Sequence, residues 1–334
     1  MEFIYFVGVD VSKGELDFAI YKEKELLFHK ETSNNQKAIS QFIKELQKLD
    51  GFELSKTIFC MEHTGIYNNP LLVFLHKKKG NIWLEAATKI KNSLGNIRGK
   101  NDKLDAIRIG CFAYKNRDEI RLWKPKRAVV VNLADLTTVR KRLIKAKKQL
   151  KTPLKELVGF SKNSSINKQL KICQRTLNSL EADIKKVDKA IMVLIKEDQE
   201  LSRLFNIVTS VQCIGKETAV QMLITTNEFI DINNPKCFAC YSGVAPFSNE
   251  SGTYKGRSKV SHMANKTMKS LLHMASLSAV QYNADCKAYF ERRINQGKNK
   301  MSVLNAVRNK LIHRIFKCVK ENRKYEKNYM TVLA

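Results

Sequence analysis

Phe3-Ile4-Tyr5-Phe6-Val7-Gly8-Val9-Asp10-Val11 is the stretch on which the reading of this chain turns. It is apolar and rich in β-formers, and it carries one acid near its end. A carboxylate inside such a strand is costly unless it is paired or metal-bound, so Asp10 marks both a strand and a candidate site. Working outward, Leu16 to Tyr21 alternates and Leu26 to Thr32 supplies a third strand, which together predict an antiparallel meander. Asn34-Asn35 then caps an amphipathic helix carrying Ile39, Phe42, Ile43 and Leu46. Thr57 to Met61 reads as a short buried strand ending at Glu62, followed by a helix near Tyr67 to Lys78 and a strand near Asn81 to Ala86.

Three strands, helix, strand, helix, strand is the element order of an RNase H-like α/β domain. That fold places one acid on the first strand, one at the end of the fourth and the remainder on a late helix. Asp10, Glu62 and the pair Asp102 and Asp105 in Lys100-Asn101-Asp102-Lys103-Leu104-Asp105-Ala106 fall into those slots. Carboxylates gathered at strand ends and on one helix face suit Mg²⁺ or Mn²⁺, which take oxygen ligands and can clamp both the attacking and leaving oxygens of a phosphodiester. The competing use of Asp102 and Asp105 is as an N-cap and a first-turn acid. His63, beside Glu62, is expected to hydrogen-bond near the site without being a ligand.

The chain has 334 residues, enough for two ordinary domains with a connector. Its 60 Lys and Arg against 32 Asp and Glu leave a net charge of +28, which makes a polyanion the expected partner. A membrane role is disfavoured: no run approaches the roughly 20 apolar residues of a spanning helix, and Met1-Glu2-Phe3-Ile4 lacks the basic start of a signal peptide. Eight cysteines, mostly isolated in apolar stretches, read as reduced, packed thiols of a cytoplasmic protein. Cys237-Phe238-Ala239-Cys240 has no second pair at zinc-site spacing.

From Leu133 the pattern becomes helical. Leu136, Val139, Leu143, Ala146 and Leu150 form one stripe, and Arg140, Lys145, Lys147, Lys148 and Lys151 make the same segment a candidate for phosphate contact. Pro153, Gly159 and the polar run Ser161 to Asn167 are expected to end it. A second arm repeats in steps of four and three, through Ile166, Leu170, Cys173, Leu177, Leu180, Ile184, Val187, Ile191 and Leu194. That is a coiled-coil seam, open between an antiparallel hairpin and a dimerisation element. Ile207 to Ala219 looks like the turn and second helix of a helix-hairpin-helix, with Gly215 exposing amides to phosphate. Gly243 to Pro246 and Ser251-Gly252 read as a loop, followed by Lys255, Arg257 and Lys259 and by helices near Lys266 to Gln281 and Val303 to Val319. Tyr114, Trp123, Tyr241 and Tyr254 could stack on bases, with core packing expected for most of them.

Gly8-Val9-Asp10-Val11-Ser12-Lys13, Glu62-His63-Thr64-Gly65-Ile66-Tyr67 and the Asp102/Asp105 segment resemble the Asp-Glu-Asp-Asp transposases of the insertion-sequence one hundred and ten family. Gly243-Val244-Ala245-Pro246, Ser251-Gly252, Gly256 and Ser261 to Asn265 resemble that family's second signature. The chain departs from the pattern at Cys213-Ile214-Gly215, where the family has a proline before the glycine, and at Ser261-His262-Met263-Ala264-Asn265. The resemblance implies a RuvC-like domain over residues 1–125, a coiled-coil connector over 126–203 and a mostly α transposase domain over 204–334. It implies a DNA recombinase of a mobile element, acting on element ends and target DNA, guided by a structured bridge RNA and working as a dimer or dimer of dimers. Asp10, Glu62, Asp102 and Asp105 would then be the metal ligands and Ser251 the nucleophile that holds DNA as a phosphoserine. The rival readings are a metal-dependent nuclease or junction resolvase using water, and a non-catalytic nucleic-acid-binding protein.

Overall fold

A computed structural model describes residues 3–93, 95, 99, 101–160 and 164–327, the side chains of 157–160, 164–170 and Arg257 excepted. The chain divides into two units, Met1–Pro125 and Lys126–Ala334.

The first unit is a mixed sheet flanked by helices. Strands β1 (Tyr5–Val11), β2 (Glu15–Lys22) and β3 (Glu25–Ser33) form the meander; α1 (Gln36–Leu46) leads to β4 (Thr57–Glu62), and α2 (Asn69–Lys77) to β5 (Asn81–Glu85). The spatial order is β3-β2-β1-β4-β5, with β1 antiparallel to β2 but parallel to β4. Helices α3 (Ala87–Ser93) and α4 (Asp102–Lys115) follow. Strand alternation sorts the side chains. Val7, Val9, Phe18, Phe42 and Leu75 share one core, and Phe6, Ala19, Tyr21, Cys60 and Trp83 pack with Ile109 and Phe112 of α4 in the other.

The approach of α4 to β1 is unusually close. A Cβ on Gly8 would lie 2.1 Å from the amide nitrogen of Gly110 and 2.3 Å from the carbonyl oxygen of Ala106. Glycine at position 8 therefore lets helix backbone rest on strand backbone. Tyr114 meets Phe6 edge-on at 5.3 Å, so α4 runs back along β1 and delivers its first turn to the strand end that carries Asp10.

The second unit is mostly helical. Helices α5 (Ala128–Phe160) and α6 (Ser164–Glu197) lie side by side, and the pairs Arg140–Asp188 (2.5 Å) and Lys147–Glu181 (2.6 Å) show that they run antiparallel. Pro153 lies within α5 and does not end it, contrary to expectation; Ser161 to Asn163 of the expected break fall outside the described residues. On α6, Leu177 and Ile191 are buried and Cys173, Leu180, Ile184, Val187 and Leu194 half-buried, while the side chains of Ile166 and Leu170 lie outside the described residues. Helices α7 (Gln199–Ser210), α8 (Lys216–Thr226) and α9 (Pro235–Tyr241) precede a hairpin, β6 (Pro246–Ser251) and β7 (Tyr254–Val260), and then α10 (Lys266–Tyr282), α11 (Ala284–Asn295) and α12 (Lys300–Lys320). The segment read as a loop around Ser251 is thus a β-hairpin. Leu204, Val208, Leu223, Phe238, Leu272, Val307 and Ile315 centre the helical core. No helix among the described residues is long and apolar enough to cross a membrane.

Candidate active site

Asp10 stands one step beyond the Val9–Met61 pair of β1 and β4, level with Glu62 at the end of β4. Asp102 and Asp105 occupy the first turn of α4. These elements bring the four acids around one end of the sheet. The Asp10 carboxyl, half-buried, is pushed up to about 6 by burial first, and then by the charges of Asp102, Asp105 and, less, Glu62, against a lowering hydrogen bond from the Val11 amide. Concentrated negative charge of this kind raises the affinity of a carboxylate for a proton, and equally for a cation.

Local contacts shape the surroundings of these acids. Asn101, and not Asp102, caps α4: its side-chain oxygen accepts from the Lys103 amide at 2.9 Å, so Asp102 is not spent on capping. Asp105 accepts from the Arg108 guanidinium at 2.7 Å. The Glu62 turn is braced by buried Asn68, which donates to the Glu62 carbonyl at 2.9 Å and accepts from the Thr64 amide at 2.7 Å. Exposed His63 accepts from the Gly65 amide at 3.4 Å.

Register exposes acids that sequence reading missed. Asp10 pairs across with Asp17, Asp17 with Glu31, and Glu62 with Glu85, so carboxylates stand at one level on all five strands. Two of these have a polar partner: His29 contacts Asp17 at 2.6 Å and Lys89 lies 3.2 Å from Glu85. Only strand pairing, a non-local property, could have revealed this row.

Among the described residues, no group of three or more His, Cys, Asp or Glu is already arranged to hold a metal ion. The donor set nevertheless fits a hard divalent cation in chemistry, because it is made of carboxylate oxygens whose mutual repulsion is recorded at Asp10. Asp105 would exchange Arg108 for the ion. All eight cysteines are free thiols, and Cys237 and Cys240 are both exposed.

In the second unit, Ser251 is exposed and closes β6, paired with Tyr254 across a turn in which Gly252 takes φ +55°. Glycine with positive φ at the first central position suits a two-residue hairpin. The hairpin base is tied down where Asn305 of α12 donates to the Val244 carbonyl at 2.7 Å. Lys255 and Lys259 are exposed on β7, while the Arg257 side chain lies outside the described residues. Gly215 is the N-cap of α8, and a Cβ there would meet nothing within 4 Å. The preceding Cys213 takes φ +71°. The basic stripe is less free than the sequence implied: Arg140 is shared between Asp188 and Glu217, and Lys147 and Lys151 both face Glu181. Lys147, Lys148, Lys151 and Lys155 still line a groove of about 300 Å³ with Ile144 and Ile184, and Lys145 is exposed. Of the four aromatics, Tyr114 and Trp123 pack against the sheet's cores, whereas Tyr241 and Tyr254 are exposed.

Comparison with known proteins agrees over most of the chain. Residues 7–160 match the DEDD transposase domain model of IS110 elements, and residues 205–291 match the model described as Transposase IS116/IS110/IS902 family. The pilin gene-inverting proteins of Moraxella bovis and Moraxella lacunata are each 26% identical over 331 residues, covering 96% of this chain and 98% of the relative. Such a domain points to dependence on a divalent metal, and transposases and recombinases act on DNA. The chain belongs to the IS110 family of transposases and recombinases.

Proposed function

We propose that the chain cuts and rejoins DNA strands of its mobile element through a phosphoserine on Ser251, with Asp10, Glu62, Asp102 and Asp105 holding Mg²⁺ or Mn²⁺. The observation that carries this reading is the Asp10 carboxyl, raised by burial and by the charges of the other three acids. A bound divalent ion would neutralise that charge and polarise the scissile phosphate. Ser251 supplies the nucleophile: its oxygen bonds to phosphorus as its proton passes to solvent, and the phosphorus–oxygen bond to the departing sugar breaks, the sugar oxygen taking a proton from solvent to leave as a hydroxyl. The phosphoester conserves the bond, so reversal rejoins DNA without a nucleotide cofactor.

The first unit is RNase H-like in this reading, supported by the order β3-β2-β1-β4-β5 and by an acid at the centre of the sheet. Residues 126–203 serve as a coiled-coil connector and 204–334 as the transposase domain; the 4–3 spacing of the half-buried α6 positions supports the former. The net charge of +28 supports contacts with both DNA and a structured bridge RNA, in which Lys145, Lys147, Lys148, Lys151, Lys255, Arg257, Lys259 and the Gly215 turn meet phosphates, with Arg140 contributing only by leaving its acid partners.

The test is denaturing electrophoresis after incubation with Mg²⁺, the transcript flanking the gene and DNA spanning the element ends. A protein–DNA adduct that disappears in Ser251→Ala is the expected result. Cleavage without an adduct would indicate attack by water, and no cleavage under any metal would indicate a binding protein.

A further inference from the structure

Every residue of β6 is exposed, so the Ser251 hairpin projects with little core of its own. A lone hairpin is marginal in water and gains order from what it binds. Ser251 and Tyr254 form its terminal cross-strand pair. Directly opposed residues of an antiparallel pair project from the same face, with Cβ atoms about 5 Å apart. Tyr254 is 63% exposed, so core burial does not explain its ring.

The ring is nevertheless held. A Cβ added to Gly256 would lie 2.9 Å from Cε1 of Tyr254 and 2.8 Å from Nδ2 of Asn249, so the absent side chain leaves the slot beside which the ring rests. Asn249 is the cross-strand partner of Gly256. The Ser251 face thus presents an exposed aromatic with two rotatable bonds, while Lys255, paired with Glu250, projects from the other face of the hairpin. An exposed aromatic plane is a platform on which an unpaired base stacks whatever its identity, and the exposed lysines of the same hairpin add positive charge for the strand's phosphates.

We propose that Tyr254 is a stacking platform for one unpaired nucleobase of the DNA strand that Ser251 attacks, positioning that nucleotide next to the nucleophile. This rests on the reading of Ser251 given above. Tyr254 is a positioning residue: it orients the nucleotide and takes no part in the bond exchange.

The experiment uses the full chain, wild type and Ser251→Ala, with a single-stranded oligodeoxynucleotide carrying 5-iododeoxyuridine. Ultraviolet cross-linking followed by peptide mapping should place the modified base on Tyr254 in both proteins. Tyr254→Ala should lower affinity for this strand about fivefold or more, the smallest effect expected of one lost base stack, while Tyr254→Phe keeps it. Fully paired duplex should bind all variants alike. On element-end DNA at saturation, Tyr254→Ala should slow adduct formation and Tyr254→Phe should not. Cross-links confined to other residues, equal strand affinity in Tyr254→Ala, or a loss confined to RNA binding would each overturn the proposal. If Ser251→Ala still forms the adduct, the nucleophile reading fails and with it the positioning role, although the cross-link alone still decides whether Tyr254 stacks on a base.

Discussion

Replacing Asp10 by asparagine should stabilise the protein while ending its chemistry. Burial and the neighbouring acids raise the folded-state pKa from the ordinary 3.8 to about 6, so the native protein holds this proton more tightly than the unfolded chain. The contribution of Asp10 to stability is therefore greatest below about pH 4, falls as pH rises to about 6, and stays reduced above it. The full shift would correspond to about 3 kcal/mol, but the group is only half-buried and solvent screening brings this to about 1 kcal/mol. For a cooperative unit near the size of Met1–Pro125, that converts to about 4 °C in melting temperature. Thermal unfolding of the full chain in a chelator at pH 8 should show Asp10→Asn melting higher than wild type by about this amount, with the gap closing near pH 4. Mg²⁺ should raise the wild-type transition and leave the variant nearly unmoved, because the ion relieves the same repulsion. A variant less stable than wild type at pH 8, or a gap independent of pH, would refute the idea that Asp10 stands under the charge of Asp102, Asp105 and Glu62.

Three further outcomes follow from particular contacts. Glu62→Ala, Asp102→Ala and Asp105→Ala should each abolish strand cleavage with DNA binding retained, and Asp102→Ala should melt near wild type, whereas Asn101→Ala should cost about 1 kcal/mol because Asn101 caps α4; a destabilised Asp102→Ala would return the cap to that residue. Gly8→Ala should destabilise by about 3 kcal/mol or prevent folding, since the methyl group would meet Ala106 and Gly110 backbone at 2.3 and 2.1 Å; a wild-type melting curve would contradict the close approach of α4. Neutralising Lys145, Lys147, Lys148 and Lys151 together should flatten the logarithmic salt dependence of DNA binding by about 2 to 4, the lower figure applying if Glu181 keeps Lys147 and Lys151; an unchanged slope would make the stripe a solvated face.

Local signals made much of the first unit legible. The strand at Leu16 to Tyr21 and the cap at Asn35 report short-range physics, and both are found where the residues put them, although the strand is buried on both faces. The Ser251 hairpin looks like a loop in the sequence because both its faces are exposed, which removes the alternation that identifies a half-buried strand, and because Pro246, Gly252 and Gly256 look like turn residues. Propensity alone makes Pro153 a helix end, whereas packing against α6 carries α5 through it. The acids legible as a candidate set were those at strand and helix ends; Asp17, Glu31 and Glu85 join their level only through register, and Asn101's priority over Asp102 as a cap depends on backbone geometry. The charge excess was legible at once, but which cations are free was not, since Arg140 and Lys147 face acids distant in sequence.

The most direct test of the central claim is to identify the residue that carries DNA. Wild-type protein incubated with Mg²⁺, the flanking transcript and element-end DNA would be denatured, digested with protease and nuclease, and its nucleotide-bearing peptide sequenced by mass spectrometry. The account predicts one modified peptide spanning the Ser251 hairpin, with the phosphoester on Ser251 and no such peptide from Asp10→Ala. A phosphoester on another residue, or efficient cleavage that leaves every peptide unmodified, would contradict it.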